Sequence, residues 1–271
     1  MLNFISTPIG NLNDISLRAI DVIRSSDYLY TEDTRRSKIL LDHINLQKKC
    51  NSFHEHNEDS VSKKIIQQLS DNKIISIISD AGTPGISDPG YKLIKKCIIE
   101  NLKYTLIPGP SSVISALLMS GLPTDKFSFF GFFPKKNYER ELLLQNFKCE
   151  KKTIIFFESP KRISKTLDDI SSYLDSKRMI AICKEMTKVH ENVLRGNILE
   201  VSKIVKENKF NLKGEIVVVI EGEKSNKKEI EIDNRIKNEY LKKLSASDSA
   251  KLISLITGAR KRDIYKKLIQ N

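Results

Sequence analysis

The sequence has no stretch typical of a membrane span, and its cysteines form no recognisable framework. No run approaches the roughly 18 apolar residues of a spanning helix, and the opening MLNFISTPIG lacks a charged segment followed by a long apolar one. The four cysteines are widely separated, with no CxxC pair, which argues against a zinc site and a disulfide framework. We therefore expect a cytoplasmic protein with buried free thiols, no metal and no membrane association.

Standard phosphate-binding fingerprints are also missing, although one loop is rich in glycine. In the segment IISIISDAGTPGISDPGYKLI, an apolar run stops at Asp80 and the next ten residues hold three glycines and two prolines. Neither GxxxxGK[ST] nor GxGxxG occurs there. The carboxylates of Asp80 and Asp88 would repel a polyphosphate. The loop therefore favours a ligand with positive charge, hydroxyls or amines; the alternative is a merely tight connection between a strand and a helix.

The charge is strongly basic and unevenly distributed. The chain carries 46 Lys and Arg against 34 Asp and Glu, a net charge of +12. Residues 1–110 are nearly balanced, so the excess lies in residues 111–271. A basic surface suits a polyanionic partner such as nucleic acid. A solvated, lysine-rich surface is the alternative.

Short apolar runs alternate with amphipathic stretches along most of the chain. This pattern is typical of βα units and mostly parallel sheets, so the predicted class is α/β. The predicted strands are 2–6, 27–31, 74–79, 103–107, 153–158, 178–184 and 215–221. The clearest predicted helices are 16–26, 34–44, 111–120 and 164–174.

The alternation is interrupted once and then ends, which suggests how the domains are divided. Residues 121–140 contain glycine, proline and clustered phenylalanines, and we place the join between two α/β domains there, with Gly121 ending the preceding helix. A polar linker, EKSNKKE, follows the last strand. The predicted organisation is an N-terminal α/β domain with Gly/Pro-rich loops (1–118), a second α/β domain (119–224) and a basic helical tail (225–271).

Two further loops resemble the glycine-rich one in character. STPIGNLNDIS follows the first predicted strand, and IPGPSSVISAL follows the fourth, with Ser111 or Ser112 placed to cap the next helix. Such loops converge at the carboxyl ends of parallel strands, where open α/β sheets bind ligands. Three special loops are therefore expected to share one rim.

These segments carry a resemblance to a known family. STPIGNL, EDTRRSKILL, FHEHNE, SDAGTPGISDPG, PGPSSVISAL, GFFPKK, FFESPKRI, CKEMTKVHE and GEIVVVIEG occur in this order over nearly the whole chain. In this the chain resembles the bacterial 16S ribosomal RNA cytidine 2′-O-methyltransferases of the tetrapyrrole methylase superfamily. The resemblance implies S-adenosylmethionine bound in the cleft between two α/β domains, a homodimer, and methylation of a ribose hydroxyl in the small ribosomal subunit.

The resemblance also implies which residues bind the cofactor. S-adenosylmethionine has a sulfonium, an ammonium and hydroxyls but no phosphate, in agreement with a glycine-rich loop that carries carboxylates. The residues expected beside it are Pro8, Gly10, Ser79, Asp80, Ala81, Gly82, Thr83, Pro108, Gly109, Pro110, Ser111, Ser112, Met186 and Gly214. Met186 has an alternative role as ordinary core.

In-line methyl transfer needs the hydroxyl held against the sulfonium and its proton accepted by a side chain or by water. The candidate acceptors are His54, Glu55 and Glu185, while Lys184 is a candidate to steady the developing oxyanion. On a strand, His54 and His56 would share one face. Metal binding and a structural hydrogen-bonding role are the alternatives for these histidines.

Basic residues, most of them in the second half of the chain, are expected to contact RNA phosphates. The tail resembles a two-helix hairpin, with Ser247 or Asp248 capping the first helix and Gly258 in the turn. The expected RNA-binding residues are Arg35, Arg36, Lys135, Lys136, Lys161, Arg162, Arg260, Lys261 and Arg262. The competing functions are a precorrin-type tetrapyrrole methyltransferase and a nucleic-acid-binding regulator.

Overall fold

A computed structural model describes residues 1–224, 240–257 and 260–269. The chain divides into two compact units, Met1–Glu223 and Lys224–Asn271. Most of the predicted linker EKSNKKE and the predicted turn residue Gly258 lie outside the described residues.

The first part of the larger unit is a parallel sheet with helical crossovers. Its strands stand in the order β3-β2-β4-β1-β5 and all described pairs are parallel. The elements are β1 (Leu2–Ile5), α1 (Leu17–Ser25), β2 (Tyr28–Thr31), α2 (Thr34–His43), β3 (Cys50–Ser52), α3 (Glu58–Ser70), β4 (Ile75–Ile78), α4 (Tyr91–Ile99), β5 (Tyr104–Ile107) and α5 (Ser112–Ser120). The four strands predicted here from apolar runs are confirmed as β1, β2, β4 and β5.

A second sheet follows, and it corrects the expectation of mostly parallel sheets. Its order is β6-β7-β10-β8-β9, and only the β6–β7 pair is parallel among the described pairs. The elements are β6 (Phe127–Phe132), α6 (Asn137–Cys149), β7 (Thr153–Glu158), α7 (Ile163–Tyr173), β8 (Met179–Lys184), β9 (Asn192–Asn197), α8 (Ile198–Lys206) and β10 (Ile216–Ile220). Residues 121–140, which we expected to be an irregular join, contain β6 and the start of α6.

Helix α5 packs on the second sheet. Its Val113, Ala116 and Leu117 form a cluster with Ala181 of β8 and Val217 of β10, among others. The helix ends as predicted at Gly121, which adopts a left-handed φ of 73°. Ser111 is its N-cap by position, but the predicted side-chain cap is wrong, because no cap hydrogen bond is made there.

In the smaller unit, residues 240–243 are helical, and the helices α9 (Ala246–Thr257) and α10 (Lys261–Ile269) follow. They pack together through Ala250, Ile253, Ile264 and Leu268. The predicted cap at Ser247 or Asp248 is wrong: the Oγ of Ser245 accepts a hydrogen bond from the amide of Asp248 at 3.1 Å.

The four cysteines are free thiols. Cys97 and Cys183 are buried and Cys50 is half-buried, but Cys149 at the end of α6 is exposed, so the expectation of burial is wrong for that residue. None of the described helices is long and apolar enough to cross a membrane.

Candidate active site

A cavity of about 450 Å³ lies in the larger unit, between loops that follow strands of the first sheet and one face of the second sheet. Such a volume lies within the roughly 300–1,000 Å³ typical of small-molecule sites. From the first part of the chain it is lined by Ile9, Glu32, Arg36, Asp80, Ala81, Gly82, Thr83, Ile86, Ser87, Asp88, Ser111, Ser112 and Val113. The second sheet and its loops contribute Phe132, Phe157, Glu158, Ser159, Pro160, Met186, Glu215, Ile216 and Val217.

Backbone and hydroxyl hydrogen bonds fix the glycine-rich loop after β4. The amides and carbonyls of Thr7 and Gly82 form a two-way bridge, with N···O distances of 2.8 and 3.0 Å. The Thr7 hydroxyl donates to the carbonyl of Ser79 at 3.1 Å, and the hydroxyls of Ser6 and Thr83 lie 2.9 Å apart. Gly82 has a φ of +80°, which side-chain-bearing residues rarely adopt. The loop therefore has one defined conformation along the wall of the cavity.

Three carboxylates lie along this wall, and each has a raised pKa. Burial raises the pKa of Asp88 to about 7, with a further contribution from the charge of Glu32. Burial also raises the pKa of Glu32, and the negative charge of Asp80 raises it further. The pKa of Asp80 is likewise raised by burial. Like charges in a partly buried site oppose one another's ionisation. A bound cation would relieve this repulsion.

Helix α2 supplies the basic side chain of the same wall. Arg36 lines the cavity, and its guanidinium lies 3.6 Å from a carboxylate oxygen of Asp80. Asp80 also accepts the backbone amide of Asp33 at 2.9 Å. Arg35 points elsewhere, to the carboxylate of Asp33, and its side chain is 90% exposed. Of the two arginines predicted to bind RNA, only Arg36 therefore lies at the cavity.

The predicted cofactor residues divide into two groups. The cavity is lined by Asp80, Ala81, Gly82, Thr83, Ser111, Ser112 and Met186. The others do not line it: Pro8, Gly10, Ser79, Pro108, Gly109, Pro110 and Gly214. Some of these support lining residues, since a Cβ built on Gly10 would lie 2.8 Å from the carbonyl oxygen of Met186. Their direct contact with a cofactor stays a prediction.

The structure places the predicted catalytic residues His54 and Glu55 in a turn after β3, away from the cavity lining. His54 and His56 do not lie on a strand, so the shared face that a strand would give them does not arise. Their rings meet edge to face, with centroids 5.9 Å apart. The Nδ1 of His54 is buried and has no hydrogen-bond partner among the described residues. The catalytic role of this turn stays a prediction.

Lys184 and Glu185, at the end of β8, also lie outside the lining. Lys184 is buried, with its ammonium 5.8 Å from the ring centroid of Phe210. Phe210 belongs to the cluster on the opposite face of the sheet from α5. A catalytic role for Lys184 stays a prediction, and this placement disfavours it.

Glu185 is occupied by contacts within the protein. Its carboxylate accepts the amide of Glu215 at 2.8 Å and the ammonium of Lys188 at 2.9 Å. Burial disfavours the charged form, but these two partners outweigh it and hold the pKa of Glu185 below its usual range. Its side chain fills the space beside Gly214, which has a φ of +105°. These contacts favour a structural role.

The remaining basic residues expected to contact RNA differ in exposure. Lys135, Lys136 and Lys161 are exposed, as are Arg260, Lys261 and Arg262 of the smaller unit. Arg162, by contrast, pairs with the buried carboxylate of Glu158 at 2.6 Å and donates to the carbonyl of Phe133 at 3.0 Å. The RNA contact of Arg162 stays a prediction. Its guanidinium already makes these contacts within the protein.

Several lining residues were not predicted from the sequence. Glu32 lies in the EDTRR motif, and Phe157, Glu158, Ser159 and Pro160 lie in FFESPKRI. The motifs were recognisable, but the side of the sheet on which each side chain lies depends on strand register. Among the described residues, no group of three or more His, Cys, Asp or Glu could hold a metal ion.

Comparison with known proteins identifies the family and the fold of the chain. A family model described as tetrapyrrole (corrin/porphyrin) methylases matches residues 1–202, so the chain belongs to that family of methyltransferases. Solved structures show the same fold: one titled diphthine synthase gives a TM-score of 0.64 at 13% identity, covering 81% of this chain and 89% of that one. A uroporphyrin-III-C-methyltransferase from Thermus thermophilus gives a TM-score of 0.58 at 11% identity, covering 81% and 93%.

Closer relatives bear one name, ribosomal RNA small subunit methyltransferase I. The protein of Halalkalibacterium halodurans is 38% identical, covering 97% of this chain and 93% of the relative. That of Escherichia coli O157:H7 is 35% identical, covering 98% and 93%. That of Hydrogenobaculum sp. is 43% identical, covering 82% and 96%. The predicted fold class, the resemblance and the assignment as a methyltransferase are confirmed.

Proposed function

We propose that this protein transfers a methyl group from S-adenosylmethionine to the 2′-hydroxyl of a cytidine in the RNA of the small ribosomal subunit. The observation that carries the proposal is the similarity, over 97% of the chain, to a relative named for small-subunit ribosomal RNA methylation. The exposed lysines after β6 and β7 and the basic smaller unit supply the positive charge that phosphates need.

The chemistry of the cavity supports S-adenosylmethionine as methyl donor. The lining residues include carboxylates of raised pKa and no lysine, and the guanidinium of Arg36 faces the carboxylate of Asp80. A sulfonium and an ammonium would relieve the repulsion among these carboxylates. The residues proposed to hold the cofactor are Asp80, Gly82, Thr83, Ser111, Ser112 and Met186. When bound, it supplies an electrophilic methyl group.

This chain would contribute position and a proton acceptor. A ribose hydroxyl is a poor nucleophile, so its alignment within the cavity is the first requirement. Asp88 is a lining carboxyl that can accept the hydroxyl proton: its pKa is raised to about 7 in the protein without ligand, and a bound cation would favour its ionised, proton-accepting form. We place it ahead of the candidates inferred from the sequence, because none of those lines the cavity.

We further propose a cytoplasmic homodimer. The edge of the first sheet supports this assembly, because β5 has an unpaired side among the described residues and exposes Tyr104 and Leu106. Ile114 and Leu118 of α5 are also exposed. Exposed apolar side chains at a sheet edge are typical of an interface. Light scattering should give twice the chain mass, and Leu106→Lys should give the monomer mass.

The substrate is tested by competition between classes of acceptor. Labelled S-adenosylmethionine is offered with small ribosomal subunits, naked small-subunit RNA and a precorrin, each prepared without the methyl group. We expect label in RNA, in the free or the assembled form. Label only in the precorrin would overturn the proposal in favour of tetrapyrrole methylation.

A further inference from the structure

Phe132, the last residue of β6, is an exposed aromatic side chain at the cavity. It is 62% exposed and is also one of the lining residues. Its ring meets that of Phe157 edge to face, with centroids 5.2 Å apart. Single exposed apolar residues are common on protein surfaces. An exposed ring that is held by a second ring at the mouth of an active-site cavity is a more specific arrangement.

A β-bulge brings Phe132 to this face. Phe129 pairs with Ile155 of β7 and Phe132 with Phe157, so β6 carries one extra residue between these pairs. Side chains alternate along a regular strand, so Phe132 would otherwise face away from Phe129. Both now contact Phe157, and the extra residue is accommodated at Gly131, whose φ is +64°.

The residues after Phe132 are held by two arginines. The carbonyl of Phe133 accepts from Arg162 at 3.0 Å, and that of Pro134 accepts from Arg162 at 3.4 Å and from Arg140 at 3.2 Å. Arg140 also lies over the ring of Phe133, 4.8 Å from its centroid. This double support keeps the end of β6 in place. The exposed Lys135 and Lys136 follow directly.

We propose that Phe132 is a stacking platform for the base of the nucleotide that is methylated. The proposal rests on the proposed function. A ribose within a folded RNA reaches an enclosed site only when its nucleotide leaves the helical stack, and the freed base then needs a new partner. Aromatic side chains fill this role in single-stranded RNA recognition. The two lysines would hold the flanking phosphates while the ribose enters the cavity.

The test compares Phe132→Leu, Phe132→Trp and Phe127→Leu. Phe127 lies on the same strand, is 38% exposed and does not line the cavity, so it is a matched control. The substrate is whichever form of small-subunit RNA the wild-type enzyme methylates. We expect Phe132→Leu to lower single-turnover kcat/KM for RNA by roughly 10- to 100-fold, and Phe132→Trp and Phe127→Leu to stay within about threefold of wild type. Affinity for S-adenosylmethionine should not change.

A substrate without the target base isolates stacking from other effects. On RNA with an abasic ribose at the mapped position, the Phe132→Leu and wild-type enzymes should differ by less than about threefold, because no base remains to stack. Three outcomes would overturn the proposed stacking role of Phe132: an equal loss of kcat/KM for Phe132→Leu on intact and abasic RNA, no loss on intact RNA, or a loss of affinity for S-adenosylmethionine. Absence of any RNA methylation by the wild-type enzyme would instead overturn the proposed function, and the platform with it.

Discussion

Asp88 is the residue whose titration connects the stability of the fold with the site. Its pKa is raised from 3.8 to about 7, mainly by burial. The folded state therefore binds the proton more tightly than the unfolded state between these two values, and stability falls as the pH rises through this range. In the absence of cofactor, ionised Asp88 destabilises the fold at neutral and alkaline pH.

Asp88→Asn should therefore raise the free energy of unfolding at pH 8, by about 1–2 kcal/mol after solvent screening is taken into account. The gain should shrink as the pH falls below about 7 and vanish below about 4, where the carboxyl is protonated in both states. Urea titrations across this range measure the effect, with the exposed Asp125→Asn as control. Parallel curves for Asp88→Asn and wild type would show that the carboxyl is not titrating as described.

The same residue should shape the rate profile. If Asp88 accepts the hydroxyl proton, single-turnover methyl transfer should rise with pH through a limb that Asp88→Asn removes, at a loss of about 100- to 10,000-fold. If Asp88→Asn kept both the limb and most of the rate, Asp88 would not be the proton acceptor, and water would be the preferred one. Glu185→Gln and His54→Ala should each keep the limb, because neither residue lines the cavity.

Substitution of Gly82 tests whether the loop after β4 binds the cofactor. Gly82→Val would force a β-branched side chain to a φ of +80° within the Thr7 bridge, at a cost of about 1–3 kcal/mol, and would narrow the cavity. Calorimetry should show weaker binding of S-adenosylmethionine. Gly121→Val is the matched control, since Gly121 has a φ of +73° and open space around it. If the folded Gly82→Val and Gly121→Val variants bound S-adenosylmethionine with equal affinity, the loop would not be part of the cofactor site.

At the scale of elements, apolar runs predicted most strands but not their direction. β7 and β8 were found from continuous β-branched and aromatic residues, yet such runs are alike in parallel and antiparallel sheets. β3 is short and polar, β9 (NVLRGN) has little apolar character, and β6 contains the glycine of its bulge. These three strands exist because neighbouring strands pair with them.

The site was predictable mainly on one side, and Met186 is the predicted lining residue on the other. Loops after β4 and β5 carry strong local signals in glycine, proline and serine, and they do line the cavity. The opposite wall, including Phe132 and Ile216, comes from strands far apart in sequence. Its composition depends on register and on the bulge, which no local pattern specifies.

The ion pair between Arg162, the N-cap residue of α7, and Glu158, the last residue of β7, gives a prediction for Arg162. Its guanidinium neutralises Glu158, whose side chain is 0% exposed. Arg162→Ala should lower the free energy of unfolding by about 3–5 kcal/mol, because it leaves a buried carboxylate without its ionic partner, although Ser159 and Thr166 still donate hydrogen bonds to it. The double variant Arg162→Ala/Glu158→Gln should recover part of the lost free energy of unfolding, because it removes the buried charge. Denaturant titrations measure both variants. Weaker RNA binding at unchanged stability would instead support the RNA contact predicted from the sequence.

At the scale of the whole molecule, deletion of the smaller unit tests whether its basic residues contact RNA phosphates. Deleting residues 225–271 removes the exposed Arg260, Lys261 and Arg262, and none of the described residues in that range lines the cavity. We expect nearly unchanged cofactor affinity, weaker RNA binding and a shallower dependence of log affinity on log salt, since each lost phosphate contact reduces the slope by about 1. Identical slopes for the two proteins would leave this unit with a structural role.

The central claim is methyl transfer to a ribose hydroxyl of small-subunit RNA, and the position of the methyl group tests it most directly. RNA labelled by the enzyme with S-adenosylmethionine is hydrolysed in alkali, which needs a free 2′-hydroxyl to cleave the adjacent phosphodiester. The account predicts label in an alkali-resistant dinucleotide that yields 2′-O-methylcytidine on enzymatic digestion. Label released in mononucleotides, as a methylated base, would contradict it.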